Sequence, residues 1–156
     1  MRILICMSAL VLAGCGPSPS AEKVAKQEAA PATAPVKDHT SMMPAVGLTG
    51  ATVVRDHILG QEKLPGGTLG NYETHGKKYQ LFIIDTADNQ SAAFLLLDAK
   101  SALRSPEYIS HMGGYFGSDG NRPIYVFAKL HYLAGVAGLS REDADPIARV
   151  LAVRLR

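Results

Sequence analysis

The residue pattern predicts an α+β domain, with an antiparallel sheet of about five to six strands and two helices packed on one face. Three observations predict it. Lys78 to Asp85 (KYQLFIID) is aromatic and β-branched and is bounded by turn residues, the composition of a strand. Asn89 to Leu103 repeats Ala92, Leu96, Ala99 and Leu103 at intervals of three and four, the period of a helix. The remaining β-rich runs are joined by hairpin-length turns. A doubly wound parallel sheet would need a crossover helix between each pair of strands, and only one is present.

In chain order, Thr52 to Leu59 (TVVRDHIL) has strand composition, and Leu64-Pro65-Gly66-Gly67 is a turn leading to a short strand at Thr68 to Glu73. Thr74-His75-Gly76-Lys77 reverses the chain into KYQLFIID. Asp88 supplies a helix N-cap, and Pro106 ends the helix that follows. Gly113 to Phe116 and Pro123 to Lys129 flank Ser118-Asp119-Gly120-Asn121, where Asp-Gly favours reversal. His131 to Ala137 continues antiparallel through a tight turn at Lys129 and Leu130. Asp145-Pro146 opens a closing helix whose apolar face is Ile147, Val150, Leu151 and Leu155.

The N-terminus says where such a domain would live. Arg2 precedes an apolar run, Ile3 to Val11, too short to span a bilayer but long enough for an export signal. Leu12-Ala13-Gly14-Cys15 then resembles the lipobox of bacterial lipoproteins. That resemblance implies a signal peptide at 1–14, cleavage before Cys15, and a diacylglyceryl group on the Cys15 sulfur. Gly16 follows where an Asp would mark inner-membrane retention, so the resemblance implies an outer-membrane protein facing the periplasm. An ordinary secretory signal, leaving Cys15 a free thiol, is the alternative. Cys6, the only other cysteine, lies in the segment to be removed, so no disulfide and no thiolate site is expected.

Residues 15–46 are rich in Ala, Pro, Ser and Lys and lack aromatics, a composition that reads as a lipidated, disordered tether. Residues 47–156 then form the single globular domain. At a net charge of +2 the chain shows no basic face with interleaved aromatics, so nucleic acid is not an expected partner. The expected partners are the membrane, through covalent lipid, and an envelope protein or peptidoglycan.

Candidate sites are few. Tyr125 and Phe127 share one face of a strand, with Tyr132 on the next; left open, that aromatic face would bind a peptide or glycan. His39, Met42 and Met43 lie close together and His111-Met112 form a second pair, ligand types that Cu(I) prefers, although no repeated His/Met spacing accompanies them. Asp85 and Glu107 end elements and would be the carboxylate pair of a glycoside hydrolase if they met. No Gly-x-Ser-x-Gly elbow occurs, Ser110-His111 are neighbours rather than a nucleophile and base, and Gly113-Gly114-Tyr115-Phe116-Gly117 lacks phosphate-loop spacing. No cofactor is expected. A non-catalytic, lipid-anchored binding or structural module is the first functional reading, with an envelope hydrolase or a copper-handling protein as alternatives.

Overall fold

The computed structural model describes residues 35–156. The expected signal peptide, Cys15 and residues 16–34 of the expected tether lie outside them. Seven strands form one antiparallel sheet: β1 (Leu48–Asp56), β2 (Pro65–Thr74), β3 (Lys77–Asp85), β4 (Arg104–Ile109), β5 (Gly114–Ser118), β6 (Pro123–Lys129) and β7 (Tyr132–Ala137), in the spatial order β1-β2-β3-β7-β6-β5-β4. A three-stranded meander, β1 to β3, and a four-stranded one, β4 to β7, therefore meet at the β3–β7 pair. Helix α1 (Asn89–Ala102) carries the chain from the centre of the sheet to its far edge, and α2 (Arg141–Arg154) closes the fold.

The two helices cover opposite faces, which corrects the expected one-face arrangement. Side chains alternate along each strand. Phe82 and Ile84 of β3, Ile124 and Val126 of β6, and Leu133 of β7 pack with Leu96 and Ala99 of α1. Leu81, Ile83, Tyr125, Phe127, Ala134 and Val136 pack with Ala144, Ala148, Leu151 and Leu155 of α2. The central strands are apolar on both sides because each side has its own helix to bury against. All six residues of β7 are buried. Gly135 is required there, since a Cβ would sit 2.2 Å from the Tyr125 carbonyl oxygen and 2.7 Å from the Phe82 ring.

The local signals behave as their chemistry dictates. Asp88 caps α1 by accepting from the Ser91 N–H at 2.7 Å. His75 and Gly76 both take positive φ in the two-residue turn between β2 and β3, the conformation that matches strand twist. Between β5 and β6, Asp119 Oδ1 accepts from the N–H groups of Asn121 and Arg122. The β6–β7 turn forces Leu130 to φ 53°, at a cost of about 1–2 kcal/mol.

Several boundaries differ from expectation: β1 starts at Leu48 rather than Thr52, and Pro65 to Gly67, expected as a turn, already pair with β1 as the start of β2. β4 is a seventh strand where the sequence reading had only Pro106 ending the helix; it is an edge strand, exposed except at Ile109, so it needs no apolar alternation. His57 adopts left-handed φ and ends β1 rather than lying within it. Helix α2 begins four residues before Asp145, because Ser140 caps it by accepting from the Asp143 N–H, which leaves Pro146 in the second turn.

The largest correction concerns the tether. The folded unit begins near residue 34 rather than at Gly47. Met43 is 2% exposed and His39 8%, and Thr40–Met42 forms a 3-10 turn against the sheet. Composition averaged over residues 15–46 hid these two buried anchors.

Candidate functional site

The segment 35–46 is held at two points, and the space between it and α2 forms the candidate site. At one end, the His39 N–H donates to the buried Thr68 Oγ1 at 2.9 Å. Asp85, at the end of β3, meets Lys37 Nζ at 2.8 Å, His39 Nε2 at 3.3 Å and His131 Nε2 at 3.6 Å. The His39 contact is electrostatic only, since its buried Nε2 makes no hydrogen bond. Burial would push the Asp85 carboxyl up, but the hydrogen bond and charge of Lys37, joined by the two imidazoles, outweigh it and hold the group below its usual value. At the other end, the Tyr72 hydroxyl donates to the Pro44 carbonyl at 2.8 Å, and Arg154 Nε to that of Met42 at 2.9 Å.

Beside the Tyr72–Pro44 anchor lies an open groove of about 270 Å³, lined by Pro44, Val46, Tyr72, Thr74, Tyr79, Leu81, Pro146, Ile147 and Val150. Its floor is a cross-strand pair, Tyr72 and Tyr79, stacked with centroids 5.2 Å apart and planes at 15°. The floor hydroxyls are already engaged: Tyr72 with Pro44, Tyr79 with Thr74 at 3.4 Å. Burial pushes the Tyr72 hydroxyl up to about 12, so it stays neutral across the physiological range. The rim is apolar and open, with Val46 83% and Val150 52% exposed.

The expected aromatic binding face is closed. Tyr125, Phe127 and Tyr132 are 0%, 1% and 4% exposed, because α2 covers that face. Tyr125 donates to Asp145 Oδ1 at 2.7 Å, and burial together with that carboxylate pushes its hydroxyl up. His111 reaches the same oxygen at 2.5 Å, and Arg149 Nε donates to Oδ2 at 2.8 Å. Burial opposes the charge on Asp145, yet the Tyr125 and His111 hydrogen bonds and Arg149 prevail, holding its pKa low. This network ties β6, the β4–β5 turn and α2 together, with both Asp145 oxygens engaged inside the protein.

The copper candidates do not converge. Met43 and Met112 are packed on the core beneath α2, as is Met42, while His39 faces Asp85 and His111 faces Asp145. His39 contacts Tyr132, whose hydroxyl donates to the Arg156 carbonyl two residues past α2, whereas Asp145 lies nine residues before the helix end at Arg154, about 14 Å at 1.5 Å per residue. No cluster of three His, Cys, Asp or Glu suited to a metal occurs among the described residues. The carboxylate pair also fails. Asp85 on β3 and Glu107 on β4 are four strands apart, about 19 Å at 4.8 Å per strand, and Glu107 is paired with Arg141.

A larger hollow of about 470 Å³ lies on the α1 side, lined in part by Asn71, Glu73, Lys78, Gln80 and Arg122. Its polar groups bond each other: Gln80 Nε2 donates to Asn71 Oδ1 at 2.8 Å and Arg122 to Gln80 Oε1 at 2.6 Å. Glu73 is the one carboxylate in that lining, without the second acid or imidazole that hydrolysis requires.

The groove was missed in the sequence because one wall of it, Pro44 and Val46, lies within the expected tether. Its α2 wall carries Val150, which the sequence places on the buried apolar face of the closing helix but which the structure leaves 52% exposed. In comparisons with protein-family models, curated proteins and solved structures, nothing matches this chain.

Proposed function

We propose that this chain is an exported lipoprotein, anchored through Cys15 to the outer membrane, whose domain is a non-catalytic module that docks apolar side chains of an envelope protein. The observation that carries the binding role is the groove over the Tyr72–Tyr79 stack. Its volume, about 270 Å³, falls just under the roughly 300–1,000 Å³ of small-molecule pockets, and matches one or two large side chains. Its floor hydroxyls are bonded within the protein, which leaves little to read the hydroxyls of a glycan. A protein partner therefore fits better than peptidoglycan. The lipobox-like Leu12-Ala13-Gly14-Cys15, with Gly16 after it, supports the anchor and its destination.

The test is photo-crosslinking in the living cell, with a benzophenone amino acid at Val150. A discrete envelope protein should be captured, and capture should vanish when Ile147→Asp places a charge in the groove wall while Glu142→Ala leaves it intact. Capture that survives Ile147→Asp in a folded protein removes the groove from the mechanism.

A further inference from the structure

The seam between α2 and the segment 35–46 continues past the groove. Pro44 and Val46 line the groove together with Pro146, Ile147 and Val150. Further along, the same two elements enclose a second hollow of about 420 Å³, lined by Ser41, Met42, Val153, Arg154 and Arg156. Its chemistry is different. Among the described residues two guanidinium groups line it and no carboxylate side chain does. Arg154 donates from Nε to the Met42 carbonyl. The Arg156 side chain makes no hydrogen bond or ion pair among the described residues; only its carbonyl is held, by the Tyr132 hydroxyl. Lys129, bonded to the carbonyl of Ala152 next to Val153, adds a third cation nearby. Val153 is exposed and extends along α2 the apolar rim begun by Val150.

We infer that the partner docked here is an acidic peptide segment: a large apolar side chain enters the groove, and an Asp or Glu of the same segment meets Arg154 and Arg156. The inference rests on the groove as a docking site and adds the chemistry of what it takes. Ile147 and Arg154 are seven residues apart on α2, about 10 Å at 1.5 Å per residue, the span of roughly three residues of extended chain. A purely apolar segment would leave the guanidinium of Arg156 without a partner beside a covered surface. A carboxylate at that spacing supplies one, through a charge-assisted and bidentate contact. A flat lipid surface fits poorly, because the buried Tyr72–Tyr79 floor lies below the exposed rim of Val46 and Val150, within reach only of a projecting side chain.

Selection from a phage-displayed random heptapeptide library, on the full chain in mild detergent, tests it. The peptides should converge on a large apolar residue with Asp or Glu about three positions away. A synthetic copy, followed by fluorescence anisotropy, should bind the double variant Val153→Glu, Arg156→Glu about tenfold more weakly. Replacing the acidic residue of the peptide by lysine should restore binding to that variant. Both substituted positions are exposed, and Arg154 keeps its bond to Met42. Should the double variant fail to fold by circular dichroism, Arg156→Gln decides, with an expected loss of about threefold; an unchanged affinity overturns the inference. Apolar peptides without an acidic position, or acidic peptides indifferent to the charge reversal, overturn it while binding still lost in Ile147→Asp leaves the groove standing. Peptides indifferent to Ile147→Asp, or no enrichment at all, overturn the groove reading and this inference with it. Phosphatidylglycerol vesicles that bind the Cys15→Ser chain through these arginines, with no acidic peptide selected, assign the hollow to lipid and overturn it as well.

Discussion

Met43→Ala tests the docking of the segment 35–46 most directly. The side chain is 2% exposed, and its sulfur lies 2.6 Å from where a Cβ on Gly70 would be, so it fills the space left by that glycine. Truncating a buried Met costs about 2–5 kcal/mol, the spread reflecting how far the site collapses. A segment at the margin of the sheet can follow the void inward, so the expected loss is at the lower end, about 2–3 kcal/mol. For a folded unit of this size, roughly 4 °C per kcal/mol, the midpoint of thermal unfolding should fall by about 10 °C. Urea denaturation followed by circular dichroism measures the loss independently, with an unchanged m-value showing that the folded state stays compact. Gly70→Ala supplies the coupling. In wild type it overpacks Met43 and the Tyr72 ring at a cost of about 1–3 kcal/mol; in the Met43→Ala background the part due to Met43 should disappear while the Tyr72 contact remains. A loss below about 0.5 kcal/mol for Met43→Ala, with additive effects in the double variant, would return the segment to the tether and refute the corrected boundary.

Two other outcomes are expected. Because the Asp85 carboxyl is held below its ordinary value in the folded state, its ionised form contributes stability that is present above the unfolded value of about 3.9 and lost as pH falls through the folded one. Asp85→Asn should therefore unfold at a lower temperature than wild type at pH 7, with the gap closing below about pH 4; a gap independent of pH would show that the carboxylate charge is not what pins Lys37 and His39. Cys15→Ser should abolish incorporation of labelled fatty acid and release the exported protein from the membrane pellet, and label persisting in the variant would defeat the lipid-anchor reading.

What the sequence determined by itself was local. KYQLFIID declared a strand, Asp88 a helix start, and Asp119-Gly120 a reversal, because each outcome depends on neighbours within four residues and on the backbone preferences of Asp and Gly. The α+β class followed from element order, since hairpin-length connections permit only antiparallel pairing. What lay beyond reach were properties set by distant partners. Two-sided burial of β3, β6 and β7 exists because α1 and α2 take opposite faces, and alternation within one strand does not say which neighbour covers each side. β4 was illegible because an exposed edge strand is selected by the ladder it joins rather than by its own apolar pattern. The same reason hid the groove: Pro44 and Val46 acquire meaning only when Met43 and His39 find their places on the sheet, and burial of two residues in a polar stretch leaves no periodic trace.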